Sequence, residues 1–194
     1  MHALIIFVRN PEPGKVKTRL AATLGDEKAL HIYKDLLHHT RSVSRQSTAH
    51  KFVFYHNVID WEDEWNIPDF NKRLQCNTNL GSKMRRAFEE VFSAGYDKAI
   101  IIGSDCFELN TALIESAFLY LDDKDVVIGP ASDGGYYLLG MKRMHSCFFN
   151  NKQWSTASVY AATLQDAITH GLSITTLPVL TDVDTEADWL HTKK

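Results

Sequence analysis

The stretch ALIIFVRNPEPGKVKTRL, residues 3–20, decides the reading of the fold. Its first six residues, Ala3 to Val8, are apolar without alternation, as expected of a strand covered on both faces. Directly behind them comes a loop rich in Pro, Gly and cations: Arg9, Asn10, Pro11, Glu12, Pro13, Gly14, Lys15, Lys17 and Arg19. A buried strand that opens into such a loop is the start of an alternating strand–helix architecture, and the remaining chain keeps that alternation.

Helical spacing of Leu30, Tyr33, Leu36, Leu37 and Val43 predicts a helix over about 26–45. Residues 51–56 read as a second strand, and 61–71 as loop or short helix. A helix is predicted over 80–94 from Met84, Phe88, Val91 and Phe92, and a buried strand over 98–103. Asn110 or Thr111 caps the next helix, followed by strands over 125–129 and 136–141. Ser155 is a candidate cap for a helix reaching 170, with Gly171 behind it. A strand over 173–177 and a last helix opened by Thr185, with Asp188 completing a capping box, end the pattern. Strands alternating with helices predict a three-layer α/β/α sandwich around a mostly parallel sheet. The expectation is a single domain over 1–194.

Composition narrows the class. With 44% apolar and 23% charged residues the chain has the make-up of a globular protein. A net charge of −3 argues against a general nucleic-acid binder but leaves room for a local basic pocket. No stretch approaches 18 apolar residues, and MHALIIFVRN is too short for a secretion signal, so no integral membrane segment and a cytoplasmic location are expected. Cys76, Cys106 and Cys147 are odd in number and form no CxxC pair, which suggests neither a disulfide framework nor a zinc site.

In open parallel sheets, ligands bind beyond the carboxyl ends of the strands. Three places there carry chemistry. Arg9, Gly14, Lys15, Lys17 and Arg19 supply cations and free amides of the kind a phosphate needs. The loop is neither a P-loop, since Val16 follows Gly14-Lys15 and Arg stands at position 9, nor a GxGxxG fingerprint. Behind the 98–103 strand, Gly103-Ser104-Asp105-Cys106 offers a carboxylate suited to Mg²⁺ or Mn²⁺, or to a turn. Cys106 has no indicated His partner that would make it a nucleophile. Behind the 125–129 strand, Asp133-Gly134-Gly135 brings the backbone close to a ligand or makes a tight bend. Asp182 and Asp184, two apart, could share a metal or cap the last helix. Gly81 and Lys83 open a helix with a cation in its first turn, which the helix dipole disfavours unless an anion is near. Trp154-Ser155-Thr156 suits a sugar or base, or ordinary packing.

Taken in order, PEPGKVKTRL, LGSKM, IIIGSDC, GPASDGGYYLLGM, WST and DVDT resemble a small bacterial GT-A-fold family named nucleotide-diphospho-sugar transferases or family-specific glycosyltransferases. The likeness runs from about residue 3 to residue 190. It implies a fold related to nucleotidyltransferases, with Lys15, Lys17 and Arg19 on the phosphates and Asp105 on the metal. Asp133 and Asp182 or Asp184 are the positions it offers for a second carboxylate. Two departures stand out: the first loop is poorer in glycine than in sugar nucleotidyltransferases, and Ser104-Asp105-Cys106 replaces the DxD of many GT-A glycosyltransferases.

The resemblance implies a metal-dependent transferase with a nucleotide-diphospho-sugar donor and an unidentified acceptor. Lys17, Arg19 and Asp133 are the expected catalytic residues; Arg9, Gly14, Lys15, Lys17, Arg19, Gly81, Lys83 and Gly134 are expected to bind the nucleotide; Asp105 and Asp182 are expected to hold Mg²⁺ or Mn²⁺. The alternatives are a nucleotidyltransferase that couples an NTP to a small phosphorylated acceptor, and a nucleotide-binding domain without chemistry.

Overall fold

A computed structural model describes residues 1–192. The elements run β1 (His2–Val8), α1 (Thr18–Leu24), α2 (Asp26–Arg45), β2 (His50–Tyr55), β3 (Phe70–Leu74), α3 (Leu80–Ser93) and β4 (Lys98–Ile102). They continue through α4 (Thr111–Asp123), β5 (Val126–Pro130), β6 (Tyr136–Met141), α5 (Val159–Thr169), β7 (Ile174–Thr176) and α6 (Glu186–His191). A 3₁₀ turn, Ser146–Phe149, lies between β6 and α5.

Among the described residues the strands form one sheet in the order β3-β2-β1-β4-β6-β5-β7. All run parallel except β6, which is antiparallel to both β4 and β5. Alternation along β1 splits the core. Leu4, Ile6 and Val8 pack on one face with Leu20 of α1, Leu36 of α2 and Ile114 of α4. Ala3 and Ile5 pack on the other with Phe88 of α3 and Ala167 of α5. The α/β sandwich with a mostly parallel sheet is therefore as expected, because two-sided burial leaves the inner strands β1, β4 and β5 almost wholly apolar.

Three local features differ from the sequence expectation. The 61–71 segment ends in β3, because Phe70 and Lys72 are both buried and Asn71 between them is exposed. Counting lysine as polar hides that alternation: Lys72 is buried by pairing with Asp63 Oδ1 at 2.7 Å and lying over the Tyr55 and Trp61 rings. The basic loop also turns straight into the short helix α1, whose apolar stripe is too brief to read. Ser155 does not cap α5; it sits at φ 62°, and the helix starts four residues later at Val159. Asn110 does cap α4, accepting from Leu113 N–H at 3.0 Å, and Thr185 and Asp188 form the expected capping box.

Candidate active site

The carboxyl ends of β1, β2, β4 and β5 open on a cleft of about 780 Å³. It sits over the β1/β4 junction, where connections leave in opposite directions and α/β sheets commonly hold ligands. Its two halves carry opposite chemistry.

The β4–β5 half is acidic. Asp105 follows β4, Asp133 lies in the turn between β5 and β6, and Asp182 and Asp184 come from the segment before α6. That segment is stitched to the β4 loop: Cys106 and Asp182 form an antiparallel bridge, and Val183 N–H donates to the Asp105 carbonyl at 2.8 Å. Residues far apart in sequence thus meet through backbone hydrogen bonds. Into them reaches Lys17, buried, its Nζ 2.8 Å from Asp105 Oδ1 and 3.0 Å from Asp184 Oδ1. Arg19 NH2 bonds Asp184 Oδ2. Burial works against the Lys17 charge, but Asp105 and Asp184 outweigh it and raise its pKa. Asp182 is pushed up to about 7, first by burial and then by the Asp105 carboxylate.

Lys17 has φ 49°, ψ 46°, the left-handed region that a non-glycine residue rarely adopts. Strain of this kind, of order 1–3 kcal/mol, persists where surrounding contacts over-determine the position. Here the two ion pairs do so. Arg9 N–H donates to Tyr33 Oη at 2.8 Å, and Tyr33 Oη lies 3.3 Å from Ser104 Oγ, tying the first loop to the β4 loop.

The other half is basic and aromatic. His56 follows β2, Gln75 follows β3 and Lys83 stands in the first turn of α3. Lys83 Nζ donates to His56 Nδ1 at 2.9 Å. Trp154 and Tyr136 add ring surface to the cleft.

Of the residues singled out in the sequence, Arg9, Lys17, Arg19, Lys83, Asp105, Asp133 and Asp182 all line this cleft. Gly14 and Lys15 do not. Lys15 pairs with Glu12 at 2.5 Å, and a side chain on Gly14 would meet the Asp26 carboxylate. In a run of cations, sequence cannot say which side chain turns inward. Gly81 and Gly134 have packing reasons for lacking a side chain. A Cβ on Gly81 would come within 2.4 Å of the Trp154 indole, and one on Gly134, at φ 87°, within 2.2 Å of the Ala157 carbonyl. Asp133 spends one oxygen on its own turn, accepting from Gly135 N–H at 2.8 Å. Cys106 is buried and its thiol is pushed up to about 12 by burial and then by Asp182, the opposite of an activated nucleophile. Nothing in the sequence marks His56 or Gln75, whose position just beyond a strand end is the only available signal; Tyr136 falls within the GPASDGGYYLLGM stretch without being singled out there.

Among the described residues no group of three or more His, Cys, Asp or Glu side chains stands ready to enclose a metal, and no helix is long and apolar enough to cross a membrane.

A family model for uncharacterized proteins conserved in bacteria, DUF2064, matches residues 39–156. The chain belongs to DUF2064. This DUF2064 chain is also similar to a crystal structure from Desulfovibrio desulfuricans G20, provisionally named a nucleotide-diphospho-sugar transferase, with 32% identity, TM-score 0.89, and 95% of this chain and 82% of that one covered. Two more distant structures share the fold. The inositol-1-phosphate CTP transferase of T. maritima matches with 14% identity, TM-score 0.61, and 97% and 91% coverage. Rv0371C of Mycobacterium tuberculosis H37Rv, solved in complex with manganese, matches with 11% identity, TM-score 0.55, and 98% and 96% coverage. No functionally curated protein matches this DUF2064 chain in sequence.

Proposed function

We propose that the cleft is the active site of a metal-dependent transferase whose donor is a nucleotide-diphospho-sugar. The observation that carries this reading is the meeting of Lys17 and Arg19 from the first loop with Asp105, Asp182 and Asp184 at one end of the sheet. The name given to the D. desulfuricans structure supports the choice of donor.

The acidic residues fit a divalent cation. Carboxylates are hard oxygen donors, and Mg²⁺ sites commonly use one or two of them, completed by water and substrate phosphates. Asp105 and Asp182 supply that number. The raised pKa of Asp182 reflects burial first and then the nearby Asp105 carboxylate, and a dication would favour the ionised form against both. Lys17 engages Oδ1 of Asp105, leaving Oδ2 for such an ion. When bound, the cation supplies charge neutralisation across the diphosphate.

The protein's own groups do the rest. Lys17 and Arg19, held in place by Asp184, stabilise negative charge that grows on the leaving diphosphate; a preorganised donor of this kind is worth about 3–4 kcal/mol in rate. An acceptor hydroxyl oxygen forms the new bond to the sugar's C1 while the C1–O bond to the diphosphate breaks, its electron pair leaving with the diphosphate. The hydroxyl proton passes to Asp133 through Oδ2, since Oδ1 is occupied by Gly135 N–H.

A second reading, nucleotidyl transfer with pyrophosphate leaving, is favoured by the fold shared with the inositol-1-phosphate CTP transferase. Thermal shift separates them. UDP- or GDP-sugars with Mn²⁺ stabilising the protein support the first, and an NTP with Mg²⁺ doing so alone supports the second. A ligand at about 100 times its Kd adds about 2.7 kcal/mol. Release of nucleoside diphosphate from the sugar donor, abolished by EDTA and by Asp105→Asn, is the expected result; metal-independent binding unchanged by Asp105→Asn overturns the proposal.

A further inference from the structure

The acidic half of the cleft is compensated from within, by Lys17 and Arg19. The basic half is not. Among the described residues no carboxylate pairs with Arg9, His56 or Lys83, although Lys83 Nζ stands 2.9 Å from His56 Nδ1. Burial first, and then the Arg9 charge, hold the Lys83 ammonium below its ordinary pKa. Burial, Lys83 and Arg9 do the same to His56. Lys83 also sits in the first turn of a 14-residue helix, where the macrodipole opposes a cation. Because Lys83 donates to Nδ1, the neutral His56 ring keeps its proton on Nε2, where the Gln75 side chain is its hydrogen-bond partner and holds the ring in place.

Two cations that repel each other, Arg9 beyond β1 and Lys83 at the start of α3, have no protein counter-ion beside them among the described residues and gain from an incoming anion. We propose that Arg9, His56 and Lys83 form a phosphate seat of their own, apart from the acidic cluster, which holds a phosphate group of one of the two substrates. The proposal rests on the reading of the cleft as a nucleotide site, and deepens it: the substrate pair presents anionic groups in two places, one beside Asp105 and one beside Lys83. The Trp154 and Tyr136 rings line the same cleft and give the body of a phosphorylated ligand a surface to lie on.

The test is calorimetric titration of the protein with inorganic phosphate in EDTA at low ionic strength. Saturable binding is expected, weakened about tenfold or more by Lys83→Met and by Arg9→Gln, and unchanged or tightened by Asp105→Asn. Lys83→Met without phosphate is expected to melt no lower than the wild type, since it removes an unpaired charge, so its loss of binding is not a loss of fold. Wild-type protein that fails to bind phosphate, or Lys83→Met and Arg9→Gln variants that bind it normally, overturn the seat. A UDP- or GDP-sugar added to the titration identifies the source. Competition marks the seat as the donor's, additive binding as the acceptor's, and either supports it. Failure of sugar-nucleotide turnover would sink the transferase reading while leaving metal-free phosphate binding intact, so the two failures are distinguishable.

Discussion

Asp182→Asn is expected to make the metal-free protein more stable at pH 8 and to cost it its metal response. Burial and the neighbouring Asp105 raise the Asp182 pKa from the ordinary 3.8 to about 7. The folded state therefore keeps a proton that the unfolded chain gives up, so this group's contribution is present below pH 4 and is lost as pH rises through about 7. At about 1.4 kcal/mol per pH unit, the full displacement corresponds to roughly 4 kcal/mol. Asp182 retains some contact with water, and its neighbour Lys17 offsets part of the repulsion, so about 2 kcal/mol is the expected gain for Asn. In a chain of this size that raises Tm by about 4–8 °C. Urea unfolding followed by tryptophan fluorescence in EDTA, from pH 4 to pH 8, reads the difference directly. The two proteins should nearly coincide at pH 4 and separate as pH rises. Addition of Mn²⁺ at pH 8 should stabilise the wild type and not the variant. An Asn variant less stable at pH 8, or a difference that ignores pH, would refute the reasoning. Stability surrendered at a functional acidic cluster is a common trade.

Asp125 runs the other way: Ser173 N–H and Oγ–H donate to its Oδ2 and hold its pKa near 2. Its contribution is present above pH 4 and fades as pH falls toward 2; Asp125→Ala should cost about 1–2 kcal/mol at pH 7, and urea midpoints of the two proteins should converge in acid. Gly81→Ala gains about 1 kcal/mol of helix propensity but places a methyl 2.4 Å from the Trp154 indole. The indole should leave its seat on α3, seen as a shift in tryptophan emission and loss of ligand-induced stabilisation; an unaltered spectrum counts against the packing argument. Lys72→Met leaves the part-buried Asp63 carboxylate without its counter-ion, with only the Tyr55 hydroxyl and Trp65 N–H as donors among the described residues, and should cost about 3 kcal/mol in urea unfolding; Asp63→Asn in the same chain, which removes the charge and keeps an oxygen acceptor, should restore part of it.

Apolar runs that build both-face burial are local signals, which is why β1, β4 and the helices from α2 onward are legible in the sequence. β3 is not, because its second inward residue is a lysine whose burial depends on Asp63 in the preceding loop. The site divides along the same line. Asp105, Lys17 and Arg19 stand at strand ends or in the first loop, so position and residue type suffice to pick them out. That Lys17 turns inward while Lys15 stays with Glu12 depends on a left-handed backbone turn at Lys17, which no residue type at that position announces. That Asp182 lies beside Asp105 depends on a backbone bridge to Cys106 from the far end of the chain.

The sheet order explains why the cleft has two characters at all. β1 pairs with β2 on one side and β4 on the other, so the loop leaving β1 must face both halves. Arg9 stays at the end of its strand, on the side of His56 and Lys83. Lys17 and Arg19, at the far end of the same loop, cross to the acids beyond β4. One loop thereby supplies cations to both halves, compensated in one and uncompensated in the other. On the proposed reading, a polyphosphate ligand with a bound dication would carry the complementary distribution of charge: positive where the metal would meet Asp105 and Asp182, negative where free phosphate oxygens would meet Arg9 and Lys83. The cleft would be complementary to such a ligand in both halves at once, a match that a simple inorganic cation would satisfy in only one half and a neutral sugar in neither.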